Sequence, residues 1–104
     1  MFYGFCFFIG RTPLHCACLA SNYESVKILL DNNADIYAID INNNTPLVYA
    51  VKNGNYEIVR LLMSKMYQKN KLVDKWNIPF HMASQDFRPY LFKIYEEYLK
   101  LPFV

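Results

Sequence analysis

Apolar residues recur at helical spacing in two stretches of the chain. They fall three and four positions apart, which places their side chains on one face of an α-helix. Each stretch is therefore predicted to form an amphipathic helix. The residues are Val26, Leu29 and Leu30 in the first stretch, and Ile58, Val59, Leu61 and Leu62 in the second.

A shorter helix is predicted before each of these stretches. Thr12 and Thr45 are favourable N-cap residues, and Pro13 and Pro46 follow at the first helical position, where the missing N–H has no partner to lose. Each short helix then breaks, most clearly at Gly54, which tolerates a positive φ. The polar connection from 32 to 44, rich in Asn and Asp, predicts a turn or hairpin.

The two helix pairs are copies of one unit. The run from Thr12 to Leu14 returns 33 residues later at Thr45, and another 33 residues lead to Pro79. One pair cannot bury its own apolar face, so the units are predicted to stack. Helix pairs are expected near residues 13–31, 46–65 and 79–100. The residues that keep the register across the units, or mark their turns, are Thr12, Pro13, Leu14, His15, Ala17, Thr45, Pro46, Leu47, Ala50, Gly54, Pro79, His81 and Ala83.

This period and these residues resemble the ankyrin repeat. The run from Thr12 to Ala17 matches T-P-L-H-x-A fully. Residues 33–35 resemble G-A-D, and residues 40–46 resemble D-x-x-G-x-T-P. The resemblance implies one domain over 1–104: an all-α solenoid of about three helix-turn-helix repeats joined by hairpin loops. The repeats would cover 10–42, 43–75 and 76–104.

The family pattern weakens towards the end of the chain. Val48 replaces the motif histidine in the second unit, and Ile78 replaces the capping threonine in the third. We interpret the third unit as a diverged or capping repeat. The resemblance also implies that the His15 side chain ties the capping residue Thr12 to nearby backbone. His81 has no capping threonine to hold, because Ile78 stands at that position.

The resemblance further implies a protein-binding scaffold without catalysis, holding its partner on the hairpin tips and the concave face of the first helices. The expected contact positions are Ile39, Ile41, Asn42, Asn44, Lys52, Asn53, Leu72, Asp74, Lys75, Asn77, Gln85 and Asp86, with Leu19 and Ala20.

The composition is apolar for so small a domain, at 54% hydrophobic and 17% aromatic. Residues 1–9 concentrate this character and could touch a membrane or a partner. They are far shorter than the roughly 20 residues of a membrane span. They occupy the register of a preceding hairpin, and we interpret them as a truncated or misassigned start. Their side chains either fold back over the first helix pair or mark the edge of a longer array with flanking repeats.

The net charge of +2 is too small to indicate nucleic acid binding by itself. A basic finger over residues 65–75, carrying Lys65, Lys69, Lys71 and Lys75, keeps an alternative open: binding of nucleic acid or an acidic partner. A solvated loop is the commoner explanation. Trp76 in this finger is either a wedge between repeats or an anchor for a partner.

The residues that could do chemistry do not converge. Cys16 and Cys18 are two positions apart on a helix and point to different faces, while His15 and His81 lie two repeats apart. No metal, cofactor or enzymatic activity is predicted. Three cysteines without a CxxC pair do not favour a disulfide framework, so we expect an intracellular location, cytoplasmic or nuclear.

Overall fold

A computed structural model describes residues 10–69 and 78–100 of the chain. These ranges contain helices and no strand, which confirms the all-α prediction. Predictions that concern residues 1–9, 70–77 and 101–104 lie outside the described residues; they include Lys71, Leu72, Asp74, Lys75, Trp76 and Asn77. The helices are α1 (Pro13–Leu19), α2 (Tyr23–Asp31), α3 (Pro46–Asn53), α4 (Tyr56–Lys69), a 3-10 helix (Phe80–Met82) and α5 (Arg88–Leu99).

Helix α1 begins with a complete capping arrangement. The Thr12 hydroxyl accepts from the His15 backbone N–H, and the Thr12 backbone N–H donates to His15 Nδ1 over 3.0 Å. Because Nδ1 accepts, Nε2 carries the ring proton and donates to the Asn44 carbonyl, 2.8 Å away. The role predicted for His15 is confirmed: it joins the start of α1 to the hairpin that follows α2.

Helix α3 repeats this start only in part. Thr45 has the extended backbone of an N-cap, as predicted, but its side chain makes no capping hydrogen bond. Val48 lies at the register of His15 and has no ring nitrogen to hold the threonine. At the other end, Gly54 closes α3 with a φ of +65°, which confirms the predicted break.

The second helix of unit two is longer than expected. Helix α4 continues to Lys69, whereas the sequence predicted an end near residue 65. Met66 explains the difference, because it extends the apolar stripe one turn beyond Leu62 and is buried.

The first helix predicted for unit three is a single 3-10 turn, Phe80–Met82. Ile78 offers no oxygen to cap a helix, and Pro79 precedes the turn without a side-chain cap bond. His81 is exposed, unlike the buried His15. The second helix of this unit, α5, is present as predicted, with Pro89 in its first turn.

The helices stack as a row of pairs. Helix α1 packs against α2 and α3, while α4 packs against α2, α3 and α5. The core lies between the packed helices, and its fully buried members include Val26, Ala50, Val51, Ile58, Val59, Leu62, Met63, Leu91 and Ile94. This arrangement leaves the hairpin after α2 projecting from one edge of the stack.

The two described cysteines differ. The Cys18 thiol is free and buried in the core, and burial raises its pKa to about 12. Cys16 is also buried, at 8% exposed, but its thiol is not free. The intracellular location stays a prediction.

None of the described helices combines the length and the apolar character that crossing a membrane requires.

Candidate partner-binding face

The hairpin between α2 and α3 is organised around one carboxylate. Asp40 Oδ1 accepts from the backbone N–H of Asn42 at 2.9 Å and of Asn44 at 3.0 Å, and Oδ2 accepts from the Tyr49 hydroxyl. The Asp40 backbone N–H donates to the Asn44 carbonyl at 3.1 Å, so the loop closes on itself. Since Tyr49 belongs to α3, the same residue attaches the loop to the second unit.

A cation accompanies this buried acid. Arg11 Nε lies 3.8 Å from Asp40 Oδ2, and the guanidinium carbon lies 5.0 Å from the centroid of the Tyr49 ring. Burial alone would raise the pKa of Asp40. Hydrogen bonds from Tyr49 and from the Asn44 and Asn42 backbone more than offset that effect, so the pKa lies below its ordinary value. Asp40 is therefore a charged structural anchor.

Two turns in this region need a left-handed backbone. Asn33 has a φ of +64° and Asn43 a φ of +62°. Both stand where the family motifs that they resemble have glycine, and asparagine tolerates this conformation better than most residues. The hairpin is thus held by local geometry as well as by Asp40.

The anchored hairpin presents apolar side chains to solvent. Ile39 is 57% exposed and Ile41 is 71% exposed, on either side of the buried Asp40. Ile41 begins the turn that the Asn43 backbone N–H closes by donating to the Asp40 carbonyl over 3.0 Å, so the position of its side chain is fixed by the turn. Exposed isoleucine on a fixed loop is a feature of a contact surface rather than of a core.

Some of the other predicted contact positions have exposed side chains that are available to a partner, whereas others make hydrogen bonds within the protein. Lys52 is exposed, as are Asn42 and, in the third unit, Gln85 and Asp86. Asn53 is exposed, but its Nδ2 donates to the carbonyls of Cys18 (3.2 Å) and Leu19 (2.9 Å).

Asn53 therefore joins α3 to the end of α1. Asn44 is half-buried and offers its carbonyl to His15. Leu19 is half-buried, and Ala20 is exposed.

The network under the hairpin was not found by sequence reasoning. Asp40 was noted only as a part of the hairpin motif, and Arg11 and Tyr49 were not singled out. Asp40, followed after Ile41 by three asparagines, was the available signal, because an aspartate side chain often accepts from the backbone two residues further on in a turn.

The basic finger is described only at its start. Lys65 Nζ lies 3.7 Å from Asp31 Oδ1, so this lysine is engaged within the protein. Lys69 is exposed at the end of α4. Binding of nucleic acid by this finger stays a prediction.

Metal ligation has no candidate in the part of the chain that the structure covers. Within 10–69 and 78–100, no three His, Cys, Asp or Glu side chains come together to hold an ion.

The chain belongs to the ankyrin-repeat family. A family model described as "Ankyrin repeats (3 copies)" matches residues 6–86. Repeats of this family are generally protein–protein interaction modules. The match spans the hairpin and the helix pairs described above, so the fold and the family agree.

Several curated relatives resemble the chain. It is 54% identical over 43 residues, 41% of its length, to the ankyrin repeat protein FPV230 of fowlpox virus. Over 76% of its length it is 34% identical to protein phosphatase 1 regulatory subunit 27 of Mus musculus. Over 72% it is 36% identical to the B-cell lymphoma 3 protein homolog of Mus musculus.

The chain spans only part of these relatives. The matches cover 23% of the fowlpox protein, 51% of the phosphatase subunit and 17% of the lymphoma protein homolog. Their names therefore describe proteins that are longer than the segment they share with this chain.

Proposed function

We propose that the chain is a protein-binding module whose contact surface is centred on the hairpin tip at Ile39 and Ile41 and extends to Lys52 on α3. No catalytic step is involved. The observation that carries the proposal is a pair of strongly exposed isoleucines on a loop whose backbone is held by the buried Asp40.

The mechanism is preorganisation. His15 ties the hairpin to α1, and Tyr49 ties it to α3, so the loop is ordered before a partner arrives. Binding then costs less conformational entropy than it would for a free loop. Burial of two isoleucines contributes about 25 cal/mol per Å² of apolar surface removed from water.

A photo-crosslinking residue in place of Ile41 tests the proposal in cells that express the chain. We expect a specific cross-linked protein, identified by mass spectrometry. The matched control carries the same residue in place of Glu24, which is exposed on α2, away from the hairpin. A product from position 24 but none from position 41 would place the binding surface elsewhere.

A charge variant completes the test. Ile41→Asp combined with Lys52→Glu should abolish capture of the cross-linked partner while the circular dichroism spectrum stays that of the parent, because both side chains are exposed. Undiminished capture by this folded variant would rule out the proposed surface.

A further inference from the structure

Asparagine is followed directly by glycine at one place in the sequence, where Asn53 precedes Gly54. Such a pair is chemically labile, because the glycine nitrogen has no Cβ beside it and can reach the amide carbon of the preceding side chain. The pair lies at the end of α3, where Asn53 is the last helical residue and Gly54 is the C-cap. The Asn53 side chain is exposed, so water can reach it.

Hydrogen bonds hold both reacting groups of this pair in the folded chain. Asn53 Nδ2 donates to the carbonyls of Cys18 (3.2 Å) and Leu19 (2.9 Å), which fixes the side chain against the end of α1. The Gly54 backbone N–H donates to the Val51 carbonyl over 3.0 Å. The nitrogen that would attack is therefore directed into the last turn of α3, while the amide that would be attacked is held by the preceding unit.

We propose that Asn53 is a site of non-enzymatic deamidation whose rate is controlled by the junction between α1 and α3. When the junction opens, the Gly54 backbone nitrogen attacks Cγ of Asn53. The N–Cγ bond forms and the Cγ–Nδ2 bond breaks, so Nδ2 leaves as ammonia with the proton of the Gly54 N–H. Water then opens the resulting succinimide ring and leaves aspartate or isoaspartate at position 53. The reaction needs no oxidant, reductant or enzyme.

The product does not fit the junction from which it forms. A carboxylate oxygen in place of Nδ2 has no proton to donate, and it would face the carbonyl oxygens of Cys18 and Leu19 over the distances that the hydrogen bonds now span. Isoaspartate also adds a methylene group to the backbone between α3 and α4. Deamidation should therefore weaken the contact between units one and two irreversibly. The inference stands whether or not the hairpin holds a partner.

Peptide mapping by mass spectrometry tests the site on the full chain, kept at mildly alkaline pH. Trypsin cleaves after Lys52 and Arg60, so residues 53–60 form one peptide. We expect deamidation at position 53 to be at least roughly tenfold slower in buffer than in unfolding urea, because the folded junction has to open first. Asn55, which precedes Tyr56 in the same peptide, is the internal control and should stay unchanged over the same period.

The chemistry of attack is tested in urea alone, where strain in the folded turn cannot interfere. Gly54→Ala should deamidate more slowly there than the parent, because a Cβ hinders the approach of the nitrogen. Equal rates for the folded and the unfolded parent would overturn control by the junction. Faster deamidation at Asn55 than at Asn53 would overturn the assignment of the site.

A stability measurement tests the consequence independently. Asn53→Asp reproduces the charge of the product, and its melting temperature should fall by roughly 4 °C or more. Asn55→Asp is the matched control: it adds the same charge two residues away but keeps the side-chain oxygen that accepts from the Ile58 N–H, so its melting temperature should not fall. An unchanged melting temperature for Asn53→Asp would contradict the proposed weakening, whereas failure of this variant alone to fold would support it.

Discussion

At the scale of single residues, Asp40 decides the shape of the candidate binding surface. Its carboxylate satisfies two backbone N–H groups of the hairpin and one hydroxyl of the next helix. Few other side chains could replace it, because the site needs an acceptor with two oxygens in a buried position. Ile39 and Ile41 flank this buried carboxylate and are exposed.

The lowered pKa of Asp40 makes its contribution depend on pH. In the unfolded chain the group titrates near its ordinary value of 3.8, and in the folded chain it titrates lower. Its stabilisation is therefore complete above the unfolded pKa and is lost as the pH falls through the folded pKa. We expect Asp40→Asn to cost about 2 kcal/mol of unfolding free energy at pH 7, because a buried charged acceptor is lost.

Urea unfolding followed by circular dichroism, repeated between pH 7 and pH 2, measures this difference. The gap between the parent and Asp40→Asn should narrow below the unfolded pKa. Parallel curves throughout this range would show that Asp40 does not titrate as described. Asp35→Asn is the matched control, since Asp35 is exposed on the same loop.

At the scale of elements, the turns between paired helices are equivalent in register but differ in residue. Gly54 closes α3 with a φ of +65°, and Ser21, its counterpart after α1, has a φ of +54°. A residue with a Cβ is strained in this region, whereas glycine is not. The turn after α1, with serine at this position, is therefore energetically less favourable than the turn after α3, which has glycine.

Replacing Ser21 with glycine should stabilise the protein. We expect Ser21→Gly to raise the unfolding free energy by about 1 kcal/mol, the order of the left-handed penalty that it removes. Chemical denaturation measures the change. Ser25→Gly, inside α2, should have the opposite sign, at about 0.5–1 kcal/mol, because glycine lowers helix stability. A destabilising Ser21→Gly would mean that the strain is compensated elsewhere.

Helices α1 to α4 could be predicted from sequence because local signals agree there. Caps, prolines and apolar spacing all place them within a few residues of their observed bounds. The 3-10 turn in unit three could not be predicted from sequence. Pro79 and Ala83 keep the register of a full helix there, but Ile78 has no side-chain oxygen to cap it. The length of α4 was also missed, since burial of Met66 depends on packing between units.

At the scale of the whole molecule, stability is shared between neighbouring units. Asn53 connects the first helices, and Lys65 connects the second helices. The sequence placed Asn53 on the partner surface, but its amide serves the preceding unit. A local sequence pattern cannot predict this contact, because it depends on where the Cys18 and Leu19 carbonyls lie relative to Asn53.

Core substitutions should affect the stack as one body. Leu62 is fully buried on α4, so Leu62→Ala should cost about 2–5 kcal/mol and unfold all units in one transition. Leu29 lies on the apolar face predicted for α2, but it is only half-buried, so Leu29→Ala should cost less. Urea titrations followed by circular dichroism and by tyrosine fluorescence would compare them. Non-coincident transitions would show that the units unfold separately.

The buried thiol of Cys18 is an intrinsic probe of local and global unfolding. With a pKa of about 12 and no exposed surface, it stays protonated and shielded at neutral pH. An alkylating reagent can therefore reach it only in molecules whose helices have come apart. The rate at which the adduct accumulates then reports how often the native stack opens, without added denaturant.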